Sequence, residues 1–376
     1  MLLGNIYVLD SREFTQITVI TIKSHRPCTI IHFHFMLIRE LDYSLPPELI
    51  AQTPAEPRDS CRLLVVDRAT GSTSHHLFSE LPQLLRQGDL LVANDSRVMP
   101  ARLYGNKPTG GKVELLLLRK LGARQWRGLV GGRHVHEVDL RVSDARIIRA
   151  VVEESGGKMD WVITFDEPIE PYLDSIGAMP LPPYIHEKLT DQAQYQTVYA
   201  RVSGSAAAPT AGLHFTPALI ERLGQAGIDI DFVTLHVGLD TFKPITEDVV
   251  EEHQIHSEWC ELPPETAQAI TVCRARRGRV VGVGTTSVRA LESAAAAAAD
   301  SGQISGAFSG YTQLYITPGY QYRLVDSIIT NFHLPRSTLL AMIGAFMGVE
   351  LMRAAYDEAI RERYRFYSFG DAMLIL

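Results

Sequence analysis

The sequence predicts an α/β fold: a barrel-like α/β body with an all-β domain, a small antiparallel barrel or sandwich, inserted into it. Three observations carry that expectation. Apolar, strand-like runs alternate with helical stretches over residues 62–100, and again over 216–363. Between these regions, residues 101–167 hold short runs divided by glycine turns, with no helical periodicity. Polar clusters also close four apolar strands of the body, and parallel strands deliver such ends to one face, where ligands collect. The expected division is 36–100 and 168–376 for the body, 101–167 for the insert, and 1–35 as an extension outside the fold.

Within 1–35, Phe14 to Ile22 alternates like a strand, but no basic segment precedes a long apolar core, so it does not read as a signal peptide. Met36 opens a coherent domain and is the expected initiator. Leu41 to Asp59 is proline-rich and extended. Arg62 to Asp67 is an apolar strand turned by Ala69-Thr70-Gly71, and Leu77 to Arg86 has helical spacing stopped at Gly88. Asp89 to Ala93 is a second strand, ending in Asn94-Asp95-Ser96-Arg97. The insert follows, with runs from Ala101–Tyr104 to Trp161–Phe165 and turns such as Thr109-Gly110-Gly111.

After a proline-rich connector around Met179–Ile185 comes Ala208–Phe215, then Thr216-Pro217, a helix N-cap with proline in the first turn. Ile228 to Leu235 is a strand closed by His236–Phe242. Pro264 to Arg276 reads as a helix stopped by Gly278. Arg279 to Val283 is a strand that leads through Gly284-Thr285-Thr286-Ser287 into a helix ending at Ala299. Thr312–Ile316 and Leu324–Thr330 are further strands, the latter closed by Asn331-Phe332-His333. Two helices, near 337–347 and 350–363, precede a C-terminal strand.

Composition bounds the function. The chain has 376 residues, 46% of them hydrophobic and 21% charged, enough for a packed core and for two domains. A net charge of −7 argues against a protein that coats nucleic acid. The charge is uneven, however. Residues 97–167 carry 13 Lys/Arg against 9 Asp/Glu, so a basic module on an acidic body can make a few phosphate contacts. No apolar run approaches the ~20 residues needed to span a bilayer. Cys28, Cys61, Cys260 and Cys273 are scattered and form no disulfide framework, which fits a reducing, cytoplasmic setting.

Ala208–Phe215 is short and nearly uncharged. It sets Thr210 and His214 among Pro209 and Gly212, at a helix start of the kind that binds polar or anionic ligands. The plainer alternative is a buried turn with a satisfied histidine. Gly282-Val283-Gly284-Thr285-Thr286-Ser287 resembles a nucleotide loop, yet lacks both the third glycine of a dinucleotide fingerprint and the Gly-Lys of a P-loop. His253, His256, Cys260 and Cys273 can be drawn as a zinc set. The two histidines are only three apart and no cysteines are paired, so no metal is expected. No three cysteines cluster for an iron–sulfur centre.

One resemblance joins these pieces. It rests on Leu45-Pro46-Pro47-Glu48-Leu49-Ile50-Ala51-Gln52, Asn94-Asp95-Ser96-Arg97-Val98, Met179-Pro180-Leu181-Pro182-Pro183-Tyr184-Ile185 and Tyr195-Gln196-Thr197-Val198-Tyr199-Ala200. It continues through Ala208–Phe215, Thr234-Leu235-His236-Val237-Gly238, Glu251-Glu252-His253, Gly284-Thr285-Thr286-Ser287-Val288-Arg289, Thr330-Asn331-Phe332-His333-Leu334-Pro335 and Ser368-Phe369-Gly370-Asp371-Ala372-Met373. From Met36 to Leu376 the chain resembles the S-adenosylmethionine:tRNA ribosyltransferase-isomerases of queuosine biosynthesis. It departs from their pattern at Asp240, where they carry glycine, and at Ala206, where they tend to carry valine.

The resemblance implies that S-adenosylmethionine is a ribosyl-donor substrate and not a cofactor. The acceptor is 7-aminomethyl-7-deazaguanine at the tRNA wobble position, the product is epoxyqueuosine-tRNA, and adenine and methionine leave. No membrane partner is expected, and the oligomeric state is left open with a monomer favoured. The sulfonium acidifies the adjacent ribose carbon, so a positioned base is needed, and histidine suits neutral pH. The candidates are His214 first, then His236, His253 and His333. Phe215, Phe242 and Tyr320 are candidates to hold the sulfonium by cation–π attraction. Thr210, Gly212, Thr285, Thr286 and Arg289 are candidates for adenosyl or methionine contacts, and Asn94 and Arg97 for either substrate. The competing classes are a non-catalytic or methyl-transferring tRNA-binding protein, and an α/β hydrolase, for which no nucleophile elbow is present.

Overall fold

The computed structural model describes residues 16–21, 29–155, 161–238, 244–299 and 306–376. Strands β1 (Gln16–Thr21) and β2 (Thr29–His34) pair antiparallel with each other and, among the described residues, with no other strand.

The body is built on a nine-stranded mixed sheet. Its first strands are β3 (Arg62–Val66), β4 (Thr73–Leu77) and β5 (Leu90–Asn94). Helix α1 is confined to Leu81–Leu84, because Thr73–Leu77 takes an antiparallel place beside β3 and leaves little chain for the longer helix its spacing suggests. The short β6 (Ser96–Val98) then leads into the insert.

The insert is a closed barrel, not a sandwich. Its strands are β7 (Arg102–Asn106), β8 (Lys112–Lys120), β9 (Gln125–Gly131), β10 (Glu137–Ser143), β11 (Arg146–Glu154) and β12 (Trp161–Phe165). They run in the order β10-β11-β12-β9-β8-β7, and Asp139 of β10 pairs back to Asn106 of β7 to close the ring. Gly105 makes the closure possible, since a Cβ there would stand 2.6 Å from Val138 and 2.8 Å from the Asp139 carbonyl oxygen. Alternate residues such as Leu115, Leu117, Val138, Leu140, Ile148 and Ala150 fill the interior. Helix α2 (Glu170–Ile176) adds Leu173 to that interior, with Ile169 just before it, and β13 (Gly177–Ala178) returns to pair with β7.

Back in the body come β14 (Val202–Ser205), α3 (Pro217–Gln225), β15 (Asp229–Leu235), β16 (Glu258–Leu262), α4 (Pro264–Ala275), β17 (Val280–Val283) and α5 (Thr285–Ala299). The chain ends with β18 (Phe308–Thr312), β19 (Ser327–Asn331), α6 (Thr338–Met347), α7 (Val349–Arg361) and β20 (Ala372–Ile375). Helix α3 starts as its sequence dictates: the Thr216 hydroxyl accepts from the Leu219 amide at 3.1 Å. The sheet order is β18-β16-β15-β5-β17-β19-β20-β3-β4. Leu90 and Val92 of β5 face one apolar cluster, Leu91 and Ala93 the other. A strand buried on both faces must be apolar throughout, which is why β5 reads as a continuous run.

The four strands with polar ends, β15, β5, β17 and β19, are adjacent and parallel. Their ends therefore meet at one edge of the sheet. That edge supports the barrel and the site.

Candidate active site

The shared edge divides into a sealed half and an open half. Asn94, Thr210, His214, Asn331 and His333 lie in the sealed half. The Asn94 side chain donates to the Leu235 carbonyl (2.9 Å) and accepts from the Leu235 and Ser96 amides (3.1 and 3.0 Å), which clamps β5 to β15. Asn331 Nδ2 donates to the Tyr367 carbonyl (3.1 Å) and to His214 Nε2 (3.0 Å), while its Oδ1 accepts from the Thr210 hydroxyl (2.9 Å).

These bonds fix the state of His214. With Nε2 accepting, Nδ1 carries the proton and points it at Cys61 Sγ, 3.2 Å away. Cys61, His214 and Asn331 thus have the composition of a thiol-protease triad with its polarity reversed: the imidazole donates to the sulfur and cannot take its proton. Burial raises the Cys61 pKa well above the usual thiol range, and the Phe78 ring lies tilted 5.1 Å from the imidazole. Burial lowers the His214 pKa to about 3, helped by the positive charges of Arg365 and Arg58. His214 is a neutral structural histidine, so the expectation that it leads as base is corrected.

His333 is corrected on the same grounds. It is buried, its Nε2 is 2.7 Å from the Thr330 hydroxyl, and burial lowers its pKa to about 3. Phe215 is wholly buried edge-on to Phe78. Tyr320 donates to Glu292 at 3.0 Å, and that carboxylate also accepts three backbone amides of Arg323–Val325. Neither ring lines the cavity described below. Gly212 packs under Tyr199, where a Cβ would meet the phenol oxygen at 2.2 Å. Thr285 is buried at the start of α5, and the Thr286 hydroxyl beside it is buried without a hydrogen-bond partner among the described residues. Arg97 is exposed, opposite Ser203 in the β6–β14 pair. Phe242, like Asp240, lies outside the described residues.

The open half is a cavity of about 770 Å³ between the body and the barrel. Three of the candidates line it: His236, His253 and Arg289. Residues that sequence reasoning passed over line it too, above all Gly204, Trp259, Tyr311 and Tyr315 from the body and Arg119 and Trp126 from the barrel. The dense polar run Glu251–Glu258 was the available signal for this wall. It reads as surface when burial and partners are unknown.

His253 Nδ1 donates to Glu247 Oε2 at 2.9 Å, which leaves Nε2 to carry the lone pair. The bond from His253 holds the Glu247 carboxyl at about 2, so it is ionised and anchors the ring. Tyr315 lies edge-on, 6.1 Å from the imidazole centre. His236 stacks on Trp259 (5.2 Å, 21°), and its buried Nδ1 has no partner among the described residues. Burial lowers its pKa, and the negative charge of Asp95 opposes that shift. Arg289 pairs with Glu258, whose other oxygen accepts the Gly238 amide at 2.8 Å. The Nε of Arg289 and the indole N–H of Trp126 are likewise buried and unpartnered among the described residues. Unmet buried polar groups are costly, and their gathering around one cavity suits a polar ligand.

Gly204 holds this wall in place. It has φ 145° at a register slip in the β6–β14 pair, and a Cβ there would stand 2.7 Å from His236 Cε1. Gly204→Ala is expected to lower stability by about 1–3 kcal/mol and to push His236 off Trp259. Urea denaturation and Trp fluorescence report the two effects; unchanged values in both would remove Gly204 from this role.

No cluster of three metal-ligating side chains occurs among the described residues. An oriented imidazole, a second imidazole stacked on indole and a buried ion pair together form a site that can accept a proton.

The model of the queuosine biosynthesis protein family matches residues 38–375. The chain belongs to the queuosine biosynthesis family. It is 49% identical over 348 residues to an S-adenosylmethionine:tRNA ribosyltransferase-isomerase of Symbiobacterium thermophilum, covering 91% of this chain and 100% of that protein. It is 50% identical to the protein of the same name from Rubrobacter xylanophilus, over 90% of this chain and 97% of the relative. A crystal structure of an S-adenosylmethionine tRNA ribosyltransferase from Thermotoga maritima aligns with a TM-score of 0.52 at 37% identity, covering 90% of this chain and all of that one. The family matched is the one its motifs resemble, and its match leaves out residues 1–37.

Proposed function

We propose that this chain transfers and isomerises the ribosyl group of S-adenosylmethionine onto 7-aminomethyl-7-deazaguanine at the tRNA wobble position, with release of adenine and methionine. The observation that carries this reading is the cavity between body and barrel, with a carboxylate-oriented histidine on its wall. Its roughly 770 Å³ suits a nucleoside-sized substrate.

His253 is the base that takes the proton from the ribose carbon next to the sulfonium. Its Nδ1–H is committed to Glu247, so Nε2 is the free acceptor, and the ionised Glu247 stabilises the imidazolium that forms. The nearby Tyr315 ring supplies an aromatic surface for the sulfonium cation. His236 and Arg289, with unpartnered nitrogens on the same wall, bind polar groups of the substrates. These assignments rest on placement in the cavity.

Incubation with precursor-bearing tRNA and S-adenosylmethionine is expected to yield adenine, methionine and the modified nucleoside together. Methylated RNA with S-adenosylhomocysteine would replace this reading with methyl transfer, and stable tRNA binding without turnover would replace it with a binding protein.

A further inference from the structure

Arg289 and Glu258 form a buried ion pair in the cavity wall, with 8% and 7% of their surfaces exposed. The pair joins helix α5 to the first residue of β16. A buried ion pair is seldom more stabilising than apolar side chains of the same volume, because both charges lose their water. Fold stability alone therefore does not account for it. The Lys120–Glu170 pair on the barrel side of the cavity differs, since both of its partners keep contact with solvent.

The hydrogen bonds of Arg289 show which part of it is already committed. A guanidinium is a planar fork, and it meets a carboxylate best along an edge, through two parallel N–H bonds. Nη1 donates to Glu258 Oε2. The adjoining edge is formed by Nε and Nη2. Nε is buried and has no partner among the described residues, and Nη2 makes a long bond, 3.4 Å, to the His256 carbonyl. An edge with an unmet buried donor at one end and a weak bond at the other suits an acceptor with two oxygens.

Charge balance narrows the acceptor. The Arg289–Glu258 pair is neutral as a whole, so a phosphate there would bring a buried negative charge with no counter-charge of its own. An α-amino acid brings a carboxylate and an ammonium together and adds no net charge, and Glu258 beside the guanidinium attracts the ammonium. We propose that Arg289 reads the α-carboxylate at the methionine end of S-adenosylmethionine through Nε and Nη2. Leu314, Ile316, Leu339 and Met342 line the same cavity and give the methylene arm an apolar surface. The Nη2 bond also ties Arg289 to the segment that carries His253. His253 and His256 are three positions apart, so their Cα atoms lie within roughly 10 Å of each other. The two ends of a methionine-length arm thus reach the guanidinium and the base together. The assignment rests on the function proposed above and adds which end of the donor is recognised, and by which group.

The test compares S-adenosylmethionine with its decarboxylated analogue, each at saturating precursor-bearing tRNA, by the kcat/KM of adenine release from the full chain. The wild-type chain is expected to favour S-adenosylmethionine by roughly 10- to 150-fold, the worth of a hydrogen bond between charged groups. Arg289→Gln combined with Glu258→Gln removes both charges and leaves neither buried alone. That double variant is expected to bring the two donors to within about threefold, mainly by raising KM for S-adenosylmethionine. Arg289→Lys keeps a cation against Glu258 without the planar edge, and its selectivity is expected to fall between the two. It carries the test if the double variant does not fold. Equal kcat/KM for both donors in the wild-type chain overturns the proposal. So does wild-type selectivity in either variant, or a raised Kd for tRNA in Arg289→Lys with donor selectivity intact, which would set the guanidinium against RNA. In each of these cases wild-type turnover of S-adenosylmethionine leaves the function standing. Absence of adenine release from the wild-type chain removes the function itself, and this inference with it.

Discussion

His253→Gln is expected to lower kcat for adenine release by roughly 10²- to 10⁴-fold, the usual worth of a positioned general base, with little change in binding of S-adenosylmethionine. Glutamine retains a side-chain amide that can donate to Glu247, so the wall keeps its shape and only the proton acceptor is lost. Glu247→Gln gives a smaller loss, because the imidazole remains but its Nδ1–H faces a neutral partner. Single-turnover measurement of adenine separates chemistry from product release. A His253→Gln chain with wild-type single-turnover rate would pass the role to His236, another histidine of the cavity.

The second large effect is on stability in acid. His214 and His333 titrate near 6.5 in an unfolded chain, but burial holds both at about 3 in the folded one. Between those values the unfolded chain binds more protons, so folding stability is fully present above about pH 6.5 and falls as pH drops toward 3. At about 1.4 kcal/mol per pH unit for each imidazole, the loss reaches on the order of 5 kcal/mol per histidine across the window. Urea denaturation at pH 7, 6 and 5 reads this contribution together with that of His236, whose pKa burial also lowers, while the depressed carboxylates of Asp89 and Glu247 give up their stabilisation only at lower pH. His214→Gln should flatten the dependence in part. Stability that is flat between pH 6.5 and 5 in the unsubstituted chain would contradict neutral burial of both rings.

Some of this architecture was legible in single segments. β5 reads as a strand because both its faces are buried, and α3 announces its start through Thr216 and Pro217. The glycine-punctuated runs of 101–167 foretell an all-β insert, but closure into a barrel depends on Asp139 reaching Asn106, a register that no local pattern encodes. The strand expected over Thr312–Ile316 lies four residues earlier, at Phe308–Thr312, where pairing with Glu258–Leu262 sets it. The four polar strand ends do meet, because their strands are parallel neighbours. Meeting did not make them equivalent: Asn94 and Asn331 spend their amides tying segments together, whereas His236 is left with an unpartnered nitrogen on the cavity wall.

By itself, the sequence determined the family, the alternation of the body, the presence of the insert and the short set of histidines from which a base could come. These follow from composition, period and ordered motifs, which are local properties of the chain. Only the tertiary structure showed which of these histidines are sealed in by hydrogen bonds and which line the open cavity. His214 is silenced by Cys61, 153 positions away, and by Asn331, 117 positions away. Burial and hydrogen-bond polarity set an imidazole's proton affinity, and both are supplied by partners remote in sequence.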